Sequence, residues 1–186
     1  MILGLFYLFL LAAVGYYTFN YIRRKILRDL ALDVIKTFNK FEVTYWADFG
    51  TLLGIIREGD IILGDGDVDI CIVNKKENIE KVEAALKDLN HQGYTTEKMD
   101  WNAYRVYSHY FFHADIYINN LDDVNRVYLG ATGGENSNIS YDLIGIRQKI
   151  KWLDTDVFVP EKIKETLIWR YGEDYMIPQD SKGRDS

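Results

Sequence analysis

Asp65-Gly66-Asp67-Val68-Asp69-Ile70-Cys71-Ile72-Val73 is the stretch on which the reading of the fold turns. Its second part alternates as a strand does: Val68, Ile70 and Ile72 point one way, while Asp67, Asp69 and Cys71 point the other. Two carboxylates at i and i+2 therefore stand side by side on one face. Like charges so placed repel, and burying them without a counter-charge costs several kcal/mol by rough estimate. A divalent cation resolves the conflict, and hard oxygen ligands suit Mg²⁺ or Mn²⁺. A calcium-binding EF-hand loop starting at Asp65 fails, because Ile70 and Lys76 stand where glycine and glutamate are required. The remaining alternative is a solvated turn followed by an edge strand. The Ile-Cys-Ile-Val run, which reads as a buried strand, weighs against it.

Two further groups extend the pattern. Upstream, Gly50-Thr51 stands immediately before an apolar helical run. There the backbone N–H groups, the Thr51 hydroxyl and the positive helix end are placed to hold a phosphate, with Arg57 two turns on; the plain alternative is an ordinary helix cap. Downstream, Asp115 lies in Phe111-Phe112-His113-Ala114-Asp115-Ile116-Tyr117-Ile118, a strand-like run where a lone acid needs a metal or an ionic partner. Arg105 and Arg147 are candidates for phosphate or acceptor contacts, or for salt bridges. His91, His109 and His113 show no metal-ligand spacing, and Cys71 reads as a core residue. Gly133-Gly134 lacks the strand-to-helix setting of a dinucleotide fingerprint.

Around these residues the periodicity predicts an α+β fold, a mixed sheet flanked by helices. Helices are expected over Arg24–Phe41, from about Asp48 to Arg57, over Glu77–Asn90, and over Pro160–Tyr171 with Pro160 in the first turn. Strands are expected at Phe41–Trp46, Asp67–Val73, Tyr94–Glu97, Ala103–Ser108 and Phe111–Ile118, with a turn-rich stretch at Gly130–Ser140. The chain of 186 residues is 48% apolar and 27% charged, enough for one domain with a real core. A net charge of −6 argues against a nucleic-acid binder, and the single cysteine excludes a disulfide framework or a cysteine-built zinc site.

The N-terminus departs from the average. Residues 1–22, MILGLFYLFLLAAVGYYTFNYI, carry no charge and are followed by Arg23, Arg24, Lys25 and Arg28. This reads as an N-terminal transmembrane helix, a single-pass anchor over 1–22, joined to a juxtamembrane helix over 23–41, a globular domain over 42–178 and a flexible tail over 179–186. The basic cluster places the soluble domain in the cytoplasm. The sequon Asn138-Ile139-Ser140 favours the lumenal (ER/Golgi) alternative; for the segment itself, Ala13-Val14-Gly15 leaves a cleaved signal peptide as an alternative to the anchor, and a buried helix of the globular domain is the other.

Taken together, the motifs resemble a known family. Phe49-Gly50-Thr51, Asp67-Val68-Asp69-Ile70 and Asp115 resemble the nucleotidyltransferase superfamily of the DNA polymerase β type. Tyr45-Trp46, Gly50-Thr51-Leu52-Leu53-Gly54, Arg57, Gly59, Ile62 and Asp65-x-Asp67-x-Asp69-Ile70 resemble its LicD/fukutin branch. Pro160, Leu167, Tyr171-Gly172, Asp174-Tyr175-Met176 and Pro178 are similar to that branch's C-terminal signature. Where the family commonly shows Trp-Asp-Asp-Asp, this chain has Gly64-Asp65-Gly66-Asp67. The resemblance implies a nucleotidyltransferase-like fold and a phosphotransferase. Such an enzyme moves an alcohol phosphate, phosphocholine or ribitol phosphate, from a CDP-linked donor to a glycan or glycolipid hydroxyl. It also implies Mg²⁺ or Mn²⁺ held by the catalytic acids Asp67, Asp69 and Asp115, and a donor held by Gly50, Thr51, Arg57 and Asp65. The alternatives are a nucleotidyltransferase that releases pyrophosphate, and a catalytically silent glycan-binding or scaffold protein.

Overall fold

The computed structural model describes residues 2–108, 112–130 and 138–178, with the side chains of 2–6 left aside. His109, Phe111, the Gly133-Gly134 turn and the tail 179–186 lie outside the described residues. The long helix α1 (Ile2–Lys40) is followed by β1 (Tyr45–Ala47), α2 (Phe49–Glu58) and β2 (Asp67–Val73). Next come α3 (Lys76–His91), β3 (Thr95–Met99), β4 (Ala103–Tyr107) and β5 (His113–Asp122). The remainder comprises β6 (Val127–Leu129), β7 (Ile139–Ser140), α4 (Tyr141–Ile144), β8 (Gln148–Trp152), β9 (Thr155–Val159) and α5 (Ile163–Tyr171).

The central sheet runs β1-β2-β5-β4-β3, with β2 and β5 parallel and the other pairs antiparallel. It is the mixed sheet that the sequence predicts. Alternation along β2 and β5 divides the residues by face. Val68, Ile70, Ile72, Ala114, Ile116 and Ile118 join Leu27, Leu30, Val34 and Phe38 of α1 and Val82, Ala85 and Leu89 of α3 in the main core. Each fully buried valine, leucine, isoleucine or phenylalanine among them contributes roughly 1.5–3 kcal/mol. The opposite face carries a smaller apolar cluster of Trp46, Cys71, Val73, Tyr128, Ile139 and Ile144, and beside it the carboxylates. The last helix starts at Ile163, so Pro160 precedes it and does not occupy its first turn.

The N-terminal reading is overturned. No helix among the described residues is long and apolar enough to cross a membrane. Tyrosines 7, 16, 17 and 21, with Thr18 and Asn20, dilute the apolar run, and α1 does not break at residue 22. From there on it is a structural helix of the domain. Asn20 is only 4% exposed. Arg23 donates to Asn20 Oδ1 and to the Gly64 carbonyl. Arg24 pairs with Glu58 at 2.9 Å and Asp60 at 3.2 Å, and Arg28 pairs with Asp60 at 2.9 Å. The basic cluster that read as a membrane-side signal thus bonds to the end of α2 and the loop after it. The single-pass anchor over 1–22 is not supported, and a cytoplasmic or lumenal placement can no longer be drawn from it.

Candidate active site

Register builds the site. Parallel pairing of β2 with β5 sets Asp67 beside His113 and Asp69 beside Asp115, and antiparallel pairing of β4 with β5 sets Arg105 beside Asp115. Partners in register project to one face, so four titratable groups and a guanidinium converge there. The N-terminus of α2 meets them from the edge. Asp48 caps that helix by accepting from the Phe49 N–H, and the Gly50 N–H donates to Asp69 Oδ2 at 3.2 Å. A Cβ on Gly50 would lie 2.8 Å from Asp65 Oδ2 and 3.5 Å from Asp69 Oδ2, so glycine allows the acids to approach the helix end.

Burial sets the electrostatics. Asp69 is pushed well above the ordinary carboxylate range by desolvation, then by the nearby charges of Asp67 and Asp65; the Tyr117 hydroxyl donating to Oδ1 at 3.2 Å opposes this. Asp67 is also raised, chiefly by burial, with His113 acting against the shift and Asp115 adding to it. Asp65 is raised by burial, which the Gly66 N–H partly offsets. Asp115 is 3% exposed and is gripped by Arg105 in a bidentate pair, Nε to Oδ1 at 2.6 Å and Nη2 to Oδ2 at 2.8 Å.

One ligand atom each from Asp67, His113 and Asp115 lies within 4.8 Å of the others. His113 Nε2 stands 3.8 Å from Asp67 Oδ2 and from Asp115 Oδ2, too far for a hydrogen bond. Two carboxylates and an imidazole form a donor set that fits a divalent cation, which would add to the charge that Arg105 already gives Asp115 and offset that of Asp67. Around the acids stands an aromatic wall: Tyr117 meets Phe49 and Trp101 at ring-centroid distances of 5.6 Å each.

Residues 42–162 match the profile of LicD/FKTN/FKRP, nucleotidyltransferase domain, well over half of the chain. The chain belongs to the LicD/FKTN/FKRP family. No curated protein matches it significantly. Among solved structures, it is similar to lincosamide antibiotic adenylyltransferase LnuA in its lincomycin-bound crystal structure, with a TM-score of 0.50 and 20% identity. That likeness covers 73% of this chain and 81% of the other, and at such identity it speaks for the fold alone. This LicD-family chain is accordingly a transferase-type domain of mixed α+β, nucleotidyltransferase-like fold. The C-terminal signature read at Leu167–Pro178 lies beyond the matched residues.

The cluster brings together Gly50, Asp65, Asp67, Asp69 and Asp115, all singled out from sequence. Thr51 is also there, but its hydroxyl is buried and accepts the Asp69 backbone N–H at 2.8 Å, so it braces β2 against α2. Arg57 is not among the gathered groups; its guanidinium donates to the Tyr175 carbonyl at 3.3 Å and to Glu58 at 3.1 Å. Sequence reasoning missed His113, since its metal-facing role comes from register with Asp67 and not from spacing to another histidine. It also missed the buried pair of Asp48 and Arg170, joined at 2.8 and 3.1 Å across 122 residues of chain. A ligand-accessible hollow of about 300 Å³ opens between Phe49, Trp169, Arg170 and Tyr171.

Proposed function

We propose that this LicD-family protein is a divalent-metal-dependent phosphotransferase. It moves an alcohol phosphate, such as phosphocholine or ribitol phosphate, from a CDP-linked donor to a hydroxyl of a glycan or glycolipid. The observation that carries the reading is the convergence of Asp67, His113 and Asp115 beside the N-terminus of α2. Asp67, His113 and Asp115 would hold Mg²⁺ or Mn²⁺. Such an ion, when bound, supplies charge neutralisation for a diphosphate.

The protein's own groups carry the rest. The positive end of α2, whose Gly50 N–H holds Asp69 Oδ2, lies beside the cluster and would favour donor phosphates there. Asp69, the remaining member of the acidic set, keeps that end in position through Gly50 and Tyr117. Trp101 and Phe49, each packed against Tyr117 and each with an arginine over its ring, form an aromatic surface against which a pyrimidine could lie. A carboxylate of the cluster whose affinity for protons is raised by burial suits acceptance of the acceptor hydroxyl proton as the new P–O bond forms and CMP leaves.

Product analysis tests the assignment. Purified full-length protein is incubated with CDP-choline or CDP-ribitol, Mn²⁺ and a set of glycan acceptors. Release of CMP with transfer of the phosphoalcohol supports it. Pyrophosphate released from CTP would point to nucleotidyl transfer instead. Donor binding without either product would favour the silent glycan-binding or scaffold reading.

A further inference from the structure

The sheet face that bears the carboxylates continues, past the apolar cluster around Trp46 and Tyr128, to a second cavity at the far end of β2. From Asp67 to Val73 the strand runs roughly 20 Å at its ordinary rise per residue. The cavity that Val73 borders is thus separate from the carboxylate cluster. Its volume is about 560 Å³, within the usual range for small-molecule sites. Tyr128 and Tyr141 form an aromatic wall, with ring centroids 5.7 Å apart and planes inclined at 31°. Arg126 lies 4.6 Å over the Tyr141 ring and is already paired with Asp142 at 2.6 Å.

The informative residue is Arg147. It is half-buried, its Nη1 donates to the Tyr45 carbonyl at 3.0 Å, and its guanidinium lies 5.4 Å from the Phe158 ring centroid. No carboxylate among the described residues pairs with it, and desolvation pulls its proton affinity down from the usual arginine range. A guanidinium presents five N–H donors in a fork that matches a phosphate, and Arg147 lines this cavity, and the neighbouring hollow beside Phe158, with the Tyr45 carbonyl as its hydrogen-bond partner among the described residues. Lys75 stands on the rim, also without an ionic partner among the described residues, while Asp123 is the cavity's single acidic lining residue. An unpaired, partly desolvated guanidinium opening on a hollow with an aromatic wall is a group prepared for an anion.

We propose that this cavity binds a phosphate-bearing, sugar-sized ligand, with Arg147 and Lys75 on the phosphate and the edge of Tyr141, backed by the buried Tyr128, against the sugar ring. The site does not depend on the transferase reading, since it shares no residue with the carboxylate cluster.

The test titrates ¹⁵N-labelled full-length protein with glucose 6-phosphate, inorganic phosphate and glucose in separate arms. Glucose 6-phosphate should shift the Arg147 Nε–Hε and the Gly145 and Ile146 amide resonances, while inorganic phosphate shifts the same signals more weakly and glucose leaves them unmoved. Arg147→Gln should weaken glucose 6-phosphate binding about tenfold or more, as expected for a lost charge-assisted hydrogen bond. Since Arg147 also supports β1, Lys75→Gln on the exposed rim serves as the second variant, with an expected loss of about threefold. Asp67→Asn should bind glucose 6-phosphate like the wild type. Equal affinity for inorganic phosphate would overturn the sugar part of the proposal. Shifts centred on Gly50 and Asp69, unchanged binding by both charge variants, or no shift at all would overturn the site.

Discussion

Replacing Arg170 by methionine should destabilise the protein more than any single change on its surface. Asp48 is 0% exposed and the Arg170 side chain 3%, and their bidentate pair at 2.8 and 3.1 Å is fully desolvated. In Arg170→Met the Asp48 carboxylate would keep the Trp46 indole N–H at 3.1 Å, the Phe49 N–H at 2.8 Å and the weak Cys71 thiol donor at 3.8 Å, and no cation. Removing one partner of a buried pair leaves an uncompensated charge and costs about 3–5 kcal/mol. For a domain whose whole stability is about 5–15 kcal/mol, that lowers the urea midpoint by roughly 1–2 M. The cost should fall largely on the α2 end of the site, because Asp48 caps α2 and Arg170 also stacks at 4.0 Å on Phe49. Asp48→Asn combined with Arg170→Met keeps a capping side chain and removes both charges, and should recover a large part of the loss. Urea unfolding followed by fluorescence measures all three variants. If Arg170→Met unfolds within about 0.5 kcal/mol of the wild type, the argument that this pair holds α2 against the sheet is wrong.

Other outcomes follow from the same geometry. Asp67 and Asp69 have proton affinities raised on folding, so the folded protein binds more protons than the unfolded chain. Metal-free stability from these groups is therefore fully present below about pH 4 and is lost as pH rises through their raised values. Asp69→Asn should abolish part of that loss, so the melting-temperature gap between variant and wild type in chelator-treated buffer should widen with rising pH; a gap independent of pH contradicts this. His113→Ala should weaken Mn²⁺ binding about tenfold while changing Mg²⁺ binding less, since imidazole suits the softer ion, as calorimetry with each metal can establish. Gly50→Ala should cost under about 1 kcal/mol of stability, because the Asp65 side chain can swing away, yet weaken CDP binding about tenfold by displacing the acids. Gly54→Ala should instead cost about 1–3 kcal/mol, because its Cβ would meet the Asp60 backbone carbonyl at 2.6 Å, and urea unfolding separates the two glycines.

The part of the fold set by strong local pattern was legible in the sequence. β2 begins and ends where alternation and the Ile-Cys-Ile-Val run place it, and α3 follows its apolar spacing closely. The β8–β9 hairpin was not legible, because Gln148–Trp152 exposes Lys149 and Lys151 and its turn is made by Leu153 at a positive φ of 52°, without a glycine signal. The N-terminal helix misled for a physical reason. An apolar, uncharged run followed by arginines reads the same whether those arginines face lipid headgroups or, as here, Glu58, Asp60 and the Gly64 carbonyl. Within the candidate site, the acids on one strand were readable from spacing alone. Arg105, singled out for a phosphate contact or a salt bridge, forms a salt bridge with Asp115; His113 and Arg170 were not readable, since their places depend on pairing between distant segments that a single sequence does not encode visibly.

Calorimetric titration of CDP into the full-length protein, with and without Mn²⁺, on the wild type and on Asp67→Asn, tests the central claim most directly. The account predicts binding by the wild type that requires the metal and that Asp67→Asn loses while its fold, checked by circular dichroism, stays intact. Equal CDP binding without metal, binding undiminished in Asp67→Asn, or no binding by the folded wild type would contradict it.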